Sequence, residues 1–334
     1  MTPVPPEAGP PQPGGTPLAF LPTPCHRAPR LGALLGLRDL WVKRDDLTGL
    51  ALGGNKARKL ARLVADALAQ GADTLVTGGG PQSNHARMTA AAANLTGLRC
   101  ELALAADVGT AVEGNLLLDH LLGAVVHPVG PLAYDELDAA IVAVAEASLA
   151  EGHRPYAIPI GGASPVGAGA YRDAAAELVA QLGADPDWVV VADGSGGTHA
   201  GLLAGFAGRA TRVLGVDVGT RPNLEEAVAH LAAACGHHDP TGVLVDHDHF
   251  GEGYGAPTGE AFDAMLAAAR TEGLVLDPVY SAKALAGLRT WVRDGRIEGD
   301  QRVVFVHTGG APALFAERYR PGLLQACGYA SRSL

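Results

Sequence analysis

From about residue 40 onward the chain alternates two kinds of apolar stretch. Short runs in which nearly every position is apolar, such as DTLVTGG (73–79), RCELALAA (99–106), VVHPVG (125–130), DWVVVADG (187–194) and TRVLGVDVG (211–219), have strand length and no polar face. Longer segments between them place apolar residues at helical spacing. In NKARKLARLVADALAQG (55–71), Leu60, Leu63, Val64, Ala67 and Leu68 share one side, and Gly71 stops the run. The same reading predicts helices over 84–97, 114–124, 137–152, 166–183 and 198–210. Further strands are predicted in LWVKRDDL (40–47), which leaves into a polar loop, and over 154–162 and 301–310. Strands this apolar need cover on both faces, which a parallel sheet between helix layers provides. The expected fold class is therefore α/β, with two doubly wound open parallel-sheet domains. Beyond the N-terminal leader no repeat or low-complexity tract is visible, so a solenoid is excluded.

Composition agrees with two lobes: 334 residues, 48% hydrophobic and only 18% charged, bury more than one small core. The net charge of -10 argues against nucleic acid or an anionic membrane, both of which attract basic faces, and leaves a small molecule as the expected partner. No stretch reaches the roughly 18 apolar residues of a membrane span. The opening MTPVPPEAGPPQPGGTP lacks the basic start and apolar centre of a signal peptide, so a cytoplasmic protein with a disordered leader over residues 1–16 is expected. Cys25, Cys100, Cys235 and Cys327 form no CxxC pair and read as ordinary thiols.

Three segments carry candidate chemistry. In VVVADGSGGTHAGLLAGF (189–206) a strand runs through Gly194, Ser195, Gly196, Gly197 and Thr198 into a helix. Converging backbone N–H groups and the helix N-terminus suit a phosphate-like anion, although a tight turn without a ligand has the same glycines. In GGNKARKL, Lys56 follows Gly53, Gly54 and Asn55. A buried lysine near other cations, here Arg58 and Lys59, loses its proton more easily and can form a Schiff base, while an exposed one is inert. In QSNHAR, Ser83, Asn84 and His85 open another helix, where they can grip a substrate carboxylate or simply cap it. An imine-forming lysine together with an anion cradle is what pyridoxal 5'-phosphate requires. HLAAACGHHDPTGVLVDHDHF (230–250) is rich in His and Asp but has no metal-ligand spacing, and reads as a solvated loop. Gly161 and Gly162 read as a crossing between lobes.

GGNKARKL, QSNHAR, GSGGTHAG, GYGAPT, LDPVYSAKAL and HTGGAPALF, in this order from about residue 17 to the C-terminal region, resemble the pyridoxal-phosphate enzyme family that includes 1-aminocyclopropane-1-carboxylate deaminase and D-cysteine desulfhydrase. The resemblance implies the tryptophan-synthase-β-like fold (fold type II), with residues 17–56 and 165–334 as a large cofactor-binding domain and 57–164 as a small domain. It implies Lys56 as the Schiff-base lysine, Asn84 on the phenolic oxygen of the cofactor, and Lys59, Ser195, Gly196, Gly197 and Thr198 on its phosphate, with Asn55 and Thr308 also beside it. Ser83, Asn84 and His85 would take the substrate carboxylate, and Tyr254, Tyr280 and Ser281 would line the substrate, with Lys56, Tyr280, Tyr254 and Ser83 in catalytic roles. A homodimer is implied as well.

Where the deaminases resemble PVYEGK and HLGG, this chain has Ser281 and Thr308, as on the desulfhydrase side. That implies β-elimination: D-cysteine and water to pyruvate, sulfide and ammonia, with Lys56 taking the α-proton and Tyr280 near the departing sulfur. L-Cysteate sulfo-lyase or another amino-acid lyase is the near alternative, and the deaminase a more distant one. Outside the class stand a nicotinamide-linked oxidoreductase using the 194–198 loop and Asp217, which leaves Lys56 unexplained, and a non-catalytic cofactor-binding protein.

Overall fold

The computed structural model describes residues 17–134, 136–239 and 242–329; the leader expected over 1–16 lies outside them. Along the chain run β1 (Cys25–Arg27), α1 (Pro29–Leu35), β2 (Asp39–Lys43), α2 (Lys56–Ala69), β3 (Thr74–Gly79), α3 (Asn84–Thr96), β4 (Arg99–Leu104), α4 (Gly114–Leu121), β5 (Val125–Pro128), α5 (Leu137–Ala150) and β6 (Pro155–Ala157). There follow α6 (Pro165–Leu182), β7 (Trp188–Asp193), α7 (Gly197–Gly205), β8 (Arg212–Asp217), α8 (Leu224–Ala234), β9 (Leu244–Asp246), α9 (Gly259–Glu272), α10 (Ser281–Arg293), β10 (Arg302–Val306) and α11 (Arg320–Ala326).

These strands form two sheets, ordered β1-β2-β10-β7-β8-β9 and β5-β4-β3-β6. All pairings are parallel except β1 on β2, an antiparallel edge strand that the apolar pattern does not announce because it is three residues long. The strand expected over 154–162 is also shorter. Pro155 and Pro159 carry no N–H for a ladder, and after Ala157 the chain passes into a 3-10 turn at Ile160–Gly162.

Why the strands lack a polar face is plain from their burial. Along β7, Trp188, Val190 and Ala192 enter one core while Val189 and Val191 enter another on the opposite face, with helix residues covering both. The smaller sheet repeats the arrangement: Leu75, Leu102 and Leu104 pack with α2 and α3, and Val76 and Ala103 pack with α5.

A buried ionic cluster ties α2 to the large sheet. Arg58 donates to both oxygens of Asp45 (3.0 Å each), to both oxygens of Glu177 on α6 (2.7 and 3.0 Å) and to Thr23 Oγ1 (2.9 Å). Lys43 donates to Glu177 from the end of β2, and the Tyr171 hydroxyl donates to Asp45 (2.5 Å). Removing one partner strands a buried charge. Arg58→Met is therefore expected to cost about 3 kcal/mol of stability, read as a lower denaturation midpoint in urea with the slope unchanged.

Candidate active site

Each sheet reverses its winding between two neighbouring strands, β7 and β10 in the larger and β3 and β6 in the smaller. Loops leaving such strands at their carboxyl ends diverge and open a crevice. The two crevices face one another across a single cavity. Ala192 to Gly196 after β7 and Thr308 after β10 form one side of it; Gly79 and Ser83 to His85 after β3, with Ile160 and Gly161 after β6, form the other.

Lys56 enters this cavity from the first turn of α2. The segment before it is pinned. Gly53, at φ +73°, lies so close to Asp46 that a β-carbon would stand 1.9 Å from the Asp46 carbonyl oxygen, which only glycine avoids. Gly54 exchanges two hydrogen bonds with the Thr48 hydroxyl, and Asn55 N donates to the Thr308 carbonyl (2.9 Å). The Lys56 side chain keeps open surface toward the cavity, yet lies deep enough that desolvation lowers its amine from 10.5 to about 8, against the opposing pull of Asp193. Arg58 has no part in that shift. Its guanidinium is turned away, onto Asp45 and Glu177.

Beyond Lys56 the N-terminus of α7 points at a second, fully buried lysine. Lys59 Nζ donates to the Gly161 carbonyl (3.2 Å), and a β-carbon on Gly197 would stand 2.7 Å from it. Burial first, then the charge of Lys56, holds the Lys59 amine well below its ordinary value. An ammonium beside the positive end of a helix is poorly placed unless an anion joins them. Ser195 and Thr198 bring hydroxyls to the same spot, and Asn55 Nδ2 donates to Thr198 Oγ1 (3.1 Å), so Asn55 supports the cradle from behind.

Across the cavity Ser83 caps α3, accepting from Ala86 N (3.2 Å), and its hydroxyl donates to no partner among the described residues. The capping reading of this serine from sequence is thus met, and Ser83 also lines the wall. His85 is buried, 3.1 Å from the Thr77 hydroxyl, and desolvation followed by Lys56 and Lys59 depresses its pKa well below the usual histidine value, so it stands neutral. The remaining wall is aromatic. Tyr254 and Tyr280 hold their hydroxyls 2.5 Å apart, and Tyr134 stacks edge-on against Tyr254 at 5.9 Å. Burial raises the pKa of all three, so they act as neutral hydroxyls.

A model of the pyridoxal-phosphate dependent enzyme family matches residues 17–309. The chain belongs to that family. Among curated relatives, it is 43% identical over 319 residues to D-cysteine desulfhydrase of Salmonella typhi, covering 90% of this chain and 94% of that protein. To D-cysteine desulfhydrase of Salmonella choleraesuis (strain SC-B67) it is 42% identical over 317 residues, with the same coverage. A solved ACC deaminase homologue superposes with a TM-score of 0.84 at 36% identity, covering 93% of this chain and 96% of the other. Threonine deaminase isoform 2 from Solanum lycopersicum, at 16% identity and a TM-score of 0.68, shares the fold, which is fold type II.

The residues present fit pyridoxal phosphate. A lowered lysine amine, a second buried lysine at a helix N-terminus and a glycine, Gly197, whose β-carbon would crowd that second lysine are a donor set for an aldehyde and a phosphate. Of the residues that the sequence assigned to this site, the wall includes Lys56, Asn55, Ser83, Asn84, His85, Ser195, Gly196, Thr198, Tyr254, Tyr280 and Thr308, with Lys59 and Gly197 just behind it.

Ser281 departs from the expectation. It is fully buried outside that wall, its hydroxyl donating to Asp277 Oδ1 (2.6 Å) and accepting from Asp277 N (2.9 Å). Asp277 also collects the N–H groups of Val279, Tyr280 and Ser281. Its carboxylate is thus an anion at the start of α10 that fixes Tyr280, and Ser281 completes it. The Asp-Pro step before that helix was the signal available in the sequence. Lys283, one turn further, donates to the carbonyls of Phe250 (2.8 Å) and Gly253 (3.3 Å), steadying the loop that carries Tyr254. Tyr134 and Asp193 also line the cavity and were not foreseen: Tyr134 stands in no pattern that a lone sequence reveals, and Asp193, at the end of β7 beside the glycine loop, drew no assignment of its own.

The His/Asp-rich segment corrects its reading as solvated loop. His249 is buried against Asp246 (2.6 Å) and Thr290 (2.9 Å), while His247 bridges Asp217 (2.9 Å) and Glu225 (2.5 Å). Asp217 spends its other oxygen on Gly219 N (2.7 Å), which makes it a loop anchor and removes the reason to assign it to a ribose. Gly161 likewise does more than cross between lobes, since its carbonyl receives Lys59.

Proposed function

We propose that this protein is a D-cysteine desulfhydrase, splitting D-cysteine with water into pyruvate, sulfide and ammonia. The observation that carries this reading is the meeting of Lys56, the anion cradle and the Tyr254–Tyr280 hydroxyl pair in one cavity. The 43% identity to a D-cysteine desulfhydrase supports the substrate.

When bound, pyridoxal phosphate draws electrons from the α-carbon of an amino acid joined to it through nitrogen. In this reading Lys59, Ser195, Gly196, Gly197 and Thr198 hold the phosphate, Thr308 and Asn55 border the ring, and Asn84 donates to the phenolic oxygen. Ser83 and His85 receive the substrate carboxylate, the former through its free hydroxyl proton. Lys56, whose amine burial lowers to about 8, would take the α-proton at its neutral Nζ. Tyr280, hydrogen-bonded to Tyr254, faces the departing sulfur and hands it a proton, drawing on Tyr254 in turn. Ser281 acts through Asp277 to hold Tyr280 in place.

The domains expected from sequence, 17–56 with 165–334 and 57–164, are proposed as the two bodies that close on the substrate. The separate cores of the two sheets support two bodies, although Leu18, Ala19, Leu50 and Ala51 of the 17–56 segment pack into the core of the smaller sheet. A homodimer in the cytoplasm completes the reading. Phe20 and Leu95, exposed beside one apolar groove, are the surface that supports pairing, and no helix among the described residues is long and apolar enough to cross a membrane.

A second reading, opening of 1-aminocyclopropane-1-carboxylate, has the solved ACC deaminase homologue in its favour. Against it, Thr308 on the cavity wall and Ser281 beneath it replace the leucine and glutamate of the deaminase pattern. The purified protein should be offered D-cysteine, L-cysteine, L-cysteate and 1-aminocyclopropane-1-carboxylate, with sulfide and keto acid scored. Sulfide and pyruvate are expected from D-cysteine; their absence there would remove the proposal.

A further inference from the structure

Arg87 is fully buried on α3, and its hydrogen bonds all go to neutral oxygens. Nη1 donates to Asn84 Oδ1 (3.2 Å) and to Asn115 Oδ1 (2.9 Å), and Nη2 donates to the Gly53 carbonyl (2.8 Å). Asn115, on α4, closes the triangle: its Nδ2 donates to Asn84 Oδ1 (3.0 Å) and to the Gln82 carbonyl (2.9 Å). A guanidinium has donors only, and an amide has one edge of each kind. The polarity of this network therefore has one solution. Asn84 must give its oxygen to Arg87 and Asn115, which leaves its N–H₂ edge for the cavity it lines.

We infer that Arg87 and Asn115 are positioning residues, which lock the Asn84 amide so that it presents a donor, never an acceptor, to the phenolic oxygen of pyridoxal phosphate. The inference rests on the role proposed above for Asn84. Donation there stabilises the oxygen as an anion; a carbonyl turned the same way would repel it. Asp119 stands one helical turn after Asn115 and is likewise buried. Its carboxyl sustains the Arg87 charge while burial lowers that guanidinium to about 10. Through the Gly53 carbonyl the same guanidinium also steadies the turn that delivers Lys56, so one side chain sets both the ring contact and the approach of the lysine.

Asn115→Asp tests the lock, because a carboxylate has no donor for Asn84 Oδ1 while still accepting from Arg87. Asn84 then faces opposed demands, the new acid for its N–H₂ and Arg87 for its oxygen, so its donor is drawn away from the cofactor. The expected result is about a tenfold rise in the dissociation constant for pyridoxal phosphate, with the visible band of the bound cofactor declining in favour of near-ultraviolet absorbance. Asn115→Ala, which removes the clamp without reversing it, should give a smaller change of the same sign and carries the test if the aspartate variant does not fold. Asn84→Ala serves as the reference and is expected to move the same band. If it does so while both Asn115 variants keep the parental spectrum and affinity, the inference is overturned. A parental spectrum in Asn84→Ala overturns it too, together with the Asn84 contact. Sulfide release from D-cysteine by the parent protein, scored separately, tells that outcome from a failure of the lyase reading.

Discussion

Lys56→Ala is expected to lose at least about 10^4-fold in sulfide release from D-cysteine, because in the proposed reading one side chain both anchors the cofactor and removes the α-proton. Its thermal midpoint should stay near that of the parent, since Lys56 makes no ion pair among the described residues and opens toward the cavity. Lys56→Arg sharpens the test. It keeps the positive charge and most of the length, yet a guanidinium is not deprotonated in water, so it should be as inactive as alanine. A variant that retained turnover with arginine would show that charge, not nucleophilicity, is what position 56 supplies.

The same lysine predicts a pH dependence with a definite sign. Attack on an aldehyde needs the neutral amine, and burial lowers the Lys56 pKa from 10.5 to about 8. At pH 7 roughly a tenth of the free amine is therefore neutral, against well under about a thousandth for an ordinary lysine. When apoprotein is mixed with pyridoxal phosphate, the rate at which the visible band appears should rise tenfold per unit below about pH 8 and level off above it. A rise that continued through pH 10 would mean that Lys56 is solvated.

Much of this was legible in the chain because the site sits where fold and chemistry coincide. Each apolar strand that runs into a glycine-rich or Ser/Asn/His turn marks the carboxyl end of a sheet at its point of reversal, so DGSGGTH and QSNHAR announced their place on the cavity wall. What was not legible depends on side-chain direction. Ser281 and Arg58 stand beside functional residues in sequence, but one turns to Asp277 and the other to Asp45. Tyr134 reaches the cavity from a loop with no pattern of its own, and is placed there by the packing of Tyr254. His249 took one partner, Asp246, from three residues back and the other, Thr290, from α10, a contact of long sequence separation that no local spacing records.

The anion cradle yields the second large effect. Gly197 has ordinary helical backbone at the start of α7, so a side chain there is not strained; the obstacle is what the side chain would meet. Its β-carbon falls 2.7 Å from Lys59 Nζ and 3.2 Å from Ala163 Cα, which places a side chain in the space between the ammonium and the helix end. Gly197→Asp would fill that space with a carboxylate of its own. The acid should draw the Lys59 ammonium to itself and cap the helix dipole, which offsets the desolvation of the new buried carboxylate before the crowding at Ala163 is counted. For the cofactor the result is the reverse, since its phosphate meets a fixed negative charge where it needs two donors. Pyridoxal phosphate affinity is expected to fall by about 10^3-fold or more in equilibrium dialysis, while the urea midpoint of the cofactor-free protein stays within about 1 kcal/mol of the parent. Loss of binding with loss of folding would point to the Ala163 contact alone. Loss of binding with folding retained would support a phosphate site between Lys59 and the first turn of α7, where the introduced carboxylate repels an anion.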